Sequence, residues 1–342
     1  MTQRVRVAVI GVGRLGRRHA EVIAYQTPQA ELVAIADASA EAARTAADAL
    51  RVERWTTDPA EIMADPNIDA VVIASSTATH AALIIAAAKA GKDIFCEKPI
   101  ALDLATTDEA IDAVAAAGVR LQVGFQRRFD VPYVKAKSMI DSGVMGSIEF
   151  IRDAMRDPVP ASREYLATCG GIFRDLTIHN FDNVRWLMGQ DVDEVFTMGS
   201  ALVDPMFAEL NDVDTSVVSV RFANGSLASI ESGRRAGFGY DVRTEVFGSE
   251  GALMIGYTRE TAVLHYTKEG VTSDHVQWFL DRFADAYTAE LVAFVQSIVD
   301  DTPTSVGSEA GRASLAMAYA AERSLQEHRP VKLAEFNRGG TA

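Results

Sequence analysis

Cysteine is almost absent. The 342-residue chain has two, Cys96 and Cys169, in no C-x-x-C pattern, which excludes a disulfide framework and a thiolate zinc site and fits a reducing compartment. Positive charge is also scarce: 33 Lys and Arg stand against 47 Asp and Glu, a formal net charge of −14. Such a field repels phosphate backbones and anionic lipid, so neither nucleic acid nor a membrane is expected as a partner. The basic doublets Arg17/Arg18, Arg127/Arg128 and Arg234/Arg235 are scattered and read mostly as solvated faces. No apolar run reaches the ~20 residues of a membrane span. The chain enters strand pattern by Val5 without a charged-then-apolar leader, and a cytoplasmic protein is expected. His19, His265, His275 and His328 follow no ligand spacing and read as structural or exposed, so no metal is expected. There is no internal repeat.

What is present suffices for two domains: 48% of the residues are hydrophobic, enough for a large core. The apolar run Val5 to Ile10 passes directly into Gly11-Val12-Gly13-Arg14-Leu15-Gly16 and then into a helical stretch to Tyr25. A glycine triplet alone is compatible with an ordinary strand-to-helix turn. Placed here, Gly11 permits the tight turn, Gly13 lets the backbone approach a pyrophosphate, and Gly16 lets the helix pack on the strand, with the helix N-terminus facing the phosphates. A second apolar run, Leu32 to Ala36, ends at Asp37, where a strand-end carboxylate can accept hydrogen bonds from the adenosine ribose. The pattern predicts dinucleotide binding, with NAD preferred over NADP because Asp37 repels a 2′-phosphate and Ala38 adds no cation; Arg14 leaves NADP as a weaker alternative.

Strands and helices then alternate through Ala40–Leu50, a short helix from Asp58-Pro59, Ala70–Ala74, Thr79–Ala90, Asp93–Cys96, Thr106–Ala117 and Leu121–Val123. This predicts an α/β domain over residues 1–125 with a doubly wound parallel sheet. From Gly146 the strands lengthen: 148–152, 194–200, 215–222, 226–232, 244–247, 252–255 and 263–266. Asn224-Gly225 signals a type I′ hairpin, and Val218, Val220 and Phe222 alternate with Val217, Ser219 and Arg221. Residues 126–336 are therefore expected to form an α+β domain with a large open, mainly antiparallel sheet. Helices at 172–187, 282–300 and 309–326 would cover one face. Asn337 to Ala342 reads as a loose tail.

Two clusters could carry chemistry. Glu97-Lys98-Pro99 follows a strand at the carboxyl edge of the parallel sheet, where ligands of such sheets bind. Lys98 is either a solvated surface charge or an ammonium aimed at the nicotinamide end, Pro99 disfavouring helix there. Asp175, His179 and Asp182 share one helix face by spacing. They are either an exposed pair in solvent or a carboxylate-held imidazole able to take a proton from an alcohol. His80, near the start of a helix by the expected cofactor cleft, either meets the ribose region or packs that helix end.

Taken together, the glycine loop, Ala90–Pro99, Gly124-Phe125-Gln126-Arg127-Arg128-Phe129-Asp130, and Gly170-Gly171 followed by Asp175 and His179 resemble the Gfo/Idh/MocA oxidoreductases over nearly the whole chain. The last two segments, with Gly239-Tyr240-Asp241, are most similar to the inositol 2-dehydrogenase branch. The resemblance implies a Rossmann domain followed by a domain whose open sheet assembles a homotetramer. It further implies Lys98, Asp175 and His179 as the catalytic set. Gly11, Gly13, Arg14, Leu15, Gly16, Asp37, Ser75, Thr77, His80, Glu97 and Lys98 would line the cofactor, and Arg127, Arg156, Asp157, Asp182 and Tyr240 the substrate. Two departures stand out: Ser75-Ser76-Thr77 occupies a loop where many members have proline, and Met155-Arg156-Asp157-Pro158 lies where some inositol enzymes have a histidine. The function implied is NAD-dependent oxidation of a cyclitol hydroxyl, myo-inositol to its 2-keto form. A scyllo-inositol or pyranose dehydrogenase is the alternative, and a non-catalytic dinucleotide sensor the reading from another class.

Overall fold

The computed structural model describes residues 4–256 and 259–338. Most of the expected tail, 339–342, lies outside them. The chain divides into two compact units: one runs to Phe129 and takes up Asp285–Ala313, the other holds Asp130–Ala284 and resumes at Ser314.

In the first unit, β1 (Val5–Ile10), α1 (Arg14–Tyr25), β2 (Ala30–Ala36), α2 (Ala40–Leu50), β3 (Trp55–Thr56), α3 (Pro59–Ala64), β4 (Ala70–Ile73), α4 (Thr77–Lys89), β5 (Asp93–Glu97), α5 (Leu104–Ala117) and β6 (Leu121–Gly124) alternate in chain order. The six strands are parallel, in the order β3-β2-β1-β4-β5-β6, the Rossmann arrangement. β4 is buried throughout, which explains its unbroken apolar sequence, and β6 is equally buried, with Gln122 as its one polar residue. Side chains of Ser39, Asp58 and Asp103 cap α2, α3 and α5, and Gly118 ends α5 in the left-handed region, so short polar residues and glycine set the helix limits. The strand order reverses between β1 and β4, placing a crevice beyond their carboxyl ends.

The second unit begins with α6 (Val131–Asp141), β7 (Ile148–Arg156), α7 (Arg163–Leu166), a π turn over Phe173–Thr177, α8 (Ile178–Met188), β8 (Val192–Ser200), α9 (Met206–Glu209), β9 (Thr215–Phe222), β10 (Leu227–Gly233), β11 (Asp241–Gly248) and β12 (Gly251–Ile255). β13 (Leu264–Thr267), β14 (Gly270–Ser273), α10 (Phe279–Arg282), α11 (Ala284–Val299), α12 (Ser308–Glu327) and β15 (Val331–Lys332) complete the chain. Seven strands pair in the order β12-β11-β7-β10-β9-β8-β15, antiparallel except for β7 with β10. Inward Val218, Val220 and Phe222 are buried, and the opposite face leaves Phe196, Met198, Val217, Leu227 and Met254 exposed. α8 is tied to the inner face by Asn183, whose amide donates to Asp153 at 3.0 Å, and by Thr177, whose hydroxyl donates to Ser232 at 3.0 Å.

Three expectations are corrected. The Asn224-Gly225 hairpin is not type I′: only Gly225 has positive φ, +88°, and its N–H donates to the Phe222 carbonyl at 2.9 Å. The loop is the three-residue kind, in which a type I turn is followed by one left-handed residue. The strand expected at 263–266 forms no part of the large sheet; β13 pairs only with β14, as an exposed ribbon. Finally, α11 belongs to the first unit, because Leu291, Phe294 and Val295 share a core with Val7, Val9 and Phe95. A helical period marks an apolar face without naming the sheet that covers it.

Candidate active site

The glycine loop separates into positions the chain itself requires and one it does not. Gly11 has φ +90°, and a Cβ there would lie 2.5 Å from the Ser75 backbone nitrogen. A Cβ on Gly16 would lie 1.9 Å from the Gly11 carbonyl oxygen. These two hold β1, α1 and the loop after β4 in contact. Gly13, in contrast, has φ −62° and ψ −168°, open to any residue, is exposed, and would meet nothing within 4 Å. Its small size keeps clear the space before the N-terminus of α1, where free N–H groups and the helix dipole favour a pyrophosphate. Arg14 is exposed and Leu15 half-buried at the same helix start. Asp37 is clamped at the end of β2, one oxygen accepting from Val12 N–H and the other from Ser39 N–H, both at 2.8 Å. Beside this turn opens a cleft of about 310 Å³, lined by Val12, Arg17, Ser39 and Thr45 among others. The residues present therefore fit a dinucleotide.

Lys98 is half-buried at the carboxyl edge of β5, before a cis bond to Pro99. Ser75 shares a 2.7 Å hydrogen bond with Thr79 through their hydroxyls, and Thr77 opens α4, two residues earlier than expected. Two residues expected against the cofactor turn their side chains inward. Glu97 is buried, 2.7 Å from His19 Nε2, with Glu290 of α11 completing a buried cluster. His80 places its ring nitrogens 2.8 Å from the Pro99 carbonyl and 3.0 Å from that of Ser75. Burial lowers the His80 pKa against the pull of those carbonyls, and the ring lies between the backbone at Ser75 and at Pro99.

In the second unit, the exposed-pair reading of Asp175 and His179 fails on burial. His179, Asn180, Asp182 and Asn183 are all buried, as are Ile178, Phe181 and Val184, so this helix has no solvated polar face. The π turn also carries one residue more per turn than an α-helix, which rotates Asp175 from the simple four-residue stacking on His179. Asp175 is held from outside the helix: one oxygen accepts from the Tyr165 hydroxyl and the other from Arg234 Nη1, both at 2.7 Å. Arg127 and Tyr240 are buried. Asp157 lies 3.5 Å from the same Arg234 nitrogen. Arg156 does not join these groups. By strand alternation it points to the open face, where its guanidinium pairs with Glu231 at 2.6 Å and Asp241 at 2.8 Å.

Arg234, Tyr165, His19 and Glu290 are absent from the sequence-derived site. Arg234 is only 1% exposed, against the solvated reading of its doublet. The available signal was its position, immediately after a strand end and before a glycine-rich turn, where a backbone can turn a side chain inward.

Residues 5–125 match the family model described as "Oxidoreductase family, NAD-binding Rossmann fold", and residues 133–254 match "GFO/IDH/MocA C-terminal domain". The chain is 44% identical to the myo-inositol 2-dehydrogenase of Thermotoga maritima over 97% of its own length and 99% of that protein. It is 39% identical to an inositol 2-dehydrogenase of Rhizobium meliloti, over 96% and 99% respectively. Among solved structures, scyllo-inositol dehydrogenase from Lactobacillus casei with bound NAD(H) and scyllo-inositol is similar at a TM-score of 0.92 and 31% identity, covering 97% of this chain and all of that one (100%).

Proposed function

Because the chain belongs to the GFO/IDH/MocA family of oxidoreductases, we propose that it is an NAD-dependent cyclitol dehydrogenase that oxidises myo-inositol to its 2-keto form. The observation that carries this reading is the α8 region: His179 and Asp182 are buried, and the side chain of Asp175, in the π turn before it, is 11% exposed, a position that a protein gives to titratable groups chiefly when they act. When bound, NAD supplies the hydride acceptor. His179 takes the hydroxyl proton, Asp175 accepts from the substrate hydroxyl and orients it, and Lys98 stabilises the negative charge developing on that oxygen. Arg127, Asp157, Asp182 and Tyr240 contact the remaining hydroxyls; Arg156, on the open face, is left out of the set.

The scyllo-inositol reading stands beside the myo-inositol one because the two rings differ only in the orientation of one hydroxyl, and a similar structure holds scyllo-inositol. Initial rates of absorbance gain at 340 nm with NAD and a panel of inositols and pyranoses test both. Turnover of no ring polyol refutes the reading. We further propose a cytoplasmic homotetramer built on the outer sheet face. Its support is the exposed Phe196, Met198, Val217, Leu227 and Met254, two buried free cysteines, and no described helix long and apolar enough to cross a membrane. A monomeric mass in light scattering at micromolar concentration refutes the assembly.

A further inference from the structure

Arg234 is the residue of the second unit whose burial most needs a reason. It follows β10 directly, its side chain is 2% exposed, and Nε and Nη2 are buried with no hydrogen-bond partner among the described residues. A guanidinium in such a place loses its hydration and must be compensated by opposite charge. The compensation comes through one atom: Nη1 lies 2.7 Å from Asp175 Oδ2 and 3.5 Å from Asp157 Oδ2. Asp175 comes from the π turn and Asp157 from the end of β7, so two elements distant in sequence converge on one cation. The Tyr165 hydroxyl donates to the other Asp175 oxygen at 2.7 Å.

We propose that Arg234 is a positioning residue for the dehydrogenase reaction, its buried guanidinium holding the Asp175 and Asp157 carboxylates side by side as acceptors for neighbouring ring hydroxyls. The inference rests on the cyclitol reading given above. Without a cation between them, two adjacent carboxylates in a buried setting repel, and one takes up a proton. A protonated Asp175 would lose acceptor capacity at the oxygen that must orient the hydroxyl. The other groups around Asp175 do not replace Arg234. The Tyr165 residue is half exposed, and its phenol, raised above its ordinary range by desolvation of the hydroxyl and by Asp175, stays a neutral donor. Cys169 is likewise pushed up, to about 11, by burial and then Asp175, and stays a thiol. Asp212, whose Oδ1 accepts from Ile172 N–H at 3.1 Å, is raised by burial and adds only repulsion. His179 lies four residues along the same segment. Arg234 therefore supplies the fixed positive charge: burial opposes it, but Asp175 and Asp157 outweigh that opposition and keep it protonated.

The test is Arg234→Met beside Arg234→Lys in the full-length enzyme. Loss of an opposite charge at this range moves a carboxylate by about 1–3 pH units. The Asp175 contribution to the acid side of the kcat/KM profile, separate from the climb that comes from His179, should therefore move upward by that amount in Arg234→Met, with lost activity returning as pH rises. Arg234→Lys should recover most of the shift, and NAD affinity should stay within about twofold of wild type. In parallel, the carboxyl carbon of Asp175, assigned by difference with Asp175→Asn, is titrated by NMR. That signal should move by the same amount whether or not an inositol is turned over. A wild type inactive on every cyclitol, with the Asp175 titration still displaced in Arg234→Met, would sink the cyclitol reading while leaving the carboxylate clamp standing. Unchanged pH profiles and an unchanged Asp175 titration in folded Arg234→Met overturn the proposal. If Arg234→Met does not fold, Arg234→Gln carries the same titration, and an Asp175 signal identical to wild type in that variant overturns it equally.

Discussion

Replacing Glu290 by Gln should change how the stability of the first unit responds to pH. Glu290 is wholly buried on α11, its two carboxyl oxygens have no hydrogen-bond partner among the described residues, and the His19 and Glu97 side chains lie within 4.8 Å. Burial first, and then the charge of Glu97, raise its pKa well above the 4.5 of a free Glu. The folded protein thus keeps a proton on Glu290 that the unfolded chain gives up above about pH 4.5. Over that range the unfolded state binds fewer protons, so stability falls as pH rises, by about 1.4 kcal/mol per pH unit for as long as the folded group stays protonated. Gln keeps the shape and the neutrality but removes the titration. For a unit of this size the contribution corresponds to about 3–6 °C in thermal midpoint per pH unit. Wild type and Glu290→Gln are compared in thermal unfolding between pH 5 and pH 8. The wild-type midpoint should decline more steeply, and the variant should gain on it as pH increases. Parallel curves would show that Glu290 is ionised in the folded protein, and the description of the buried cluster would be wrong.

Gly13→Ala should fold with an unchanged thermal midpoint, since its Cβ meets nothing within 4 Å, yet lose NAD affinity in calorimetry; Gly16→Ala, with a Cβ 1.9 Å from the Gly11 carbonyl oxygen, should fail to fold. Equal NAD affinity in Gly13→Ala would remove the pyrophosphate from that position. The enzyme should bind NAD more tightly than NADP, and Asp37→Ser should narrow the difference; tighter NADP binding by wild type would contradict the role of Asp37. His179→Ala should lower turnover ~10²–10⁴-fold, the contribution of a positioned general base, with NAD affinity near wild type. A neutral base also makes the oxidation rate climb with pH and level off, and the variant should lose that climb. Full turnover by His179→Ala would assign proton removal to another group.

Local chemistry determined what the sequence alone made legible. The turn at Gly11-Val12-Gly13, the helix start at Asp58-Pro59, the end of α5 after Ala117 at Gly118, and the alternation of Val218, Val220 and Phe222 depend on sterics and periods reaching only a few residues, and each stands in the structure where it was expected. The family motifs likewise singled out Lys98, Asp175 and His179 before any geometry was known. Tertiary structure decided which distant partner each group meets. The period of α11 showed an apolar face, but only the chain path brought Leu291 and Phe294 onto the Rossmann core and Glu290 beside His19. A single added residue in the π turn altered the face on which Asp175 stands. The doublet at Arg234 read as solvated because charge favours water unless a countercharge is supplied, and its countercharges, Asp157 and Asp175, lie 77 and 59 residues away. Pairing across such separations follows from how elements pack, and no local rule encodes it.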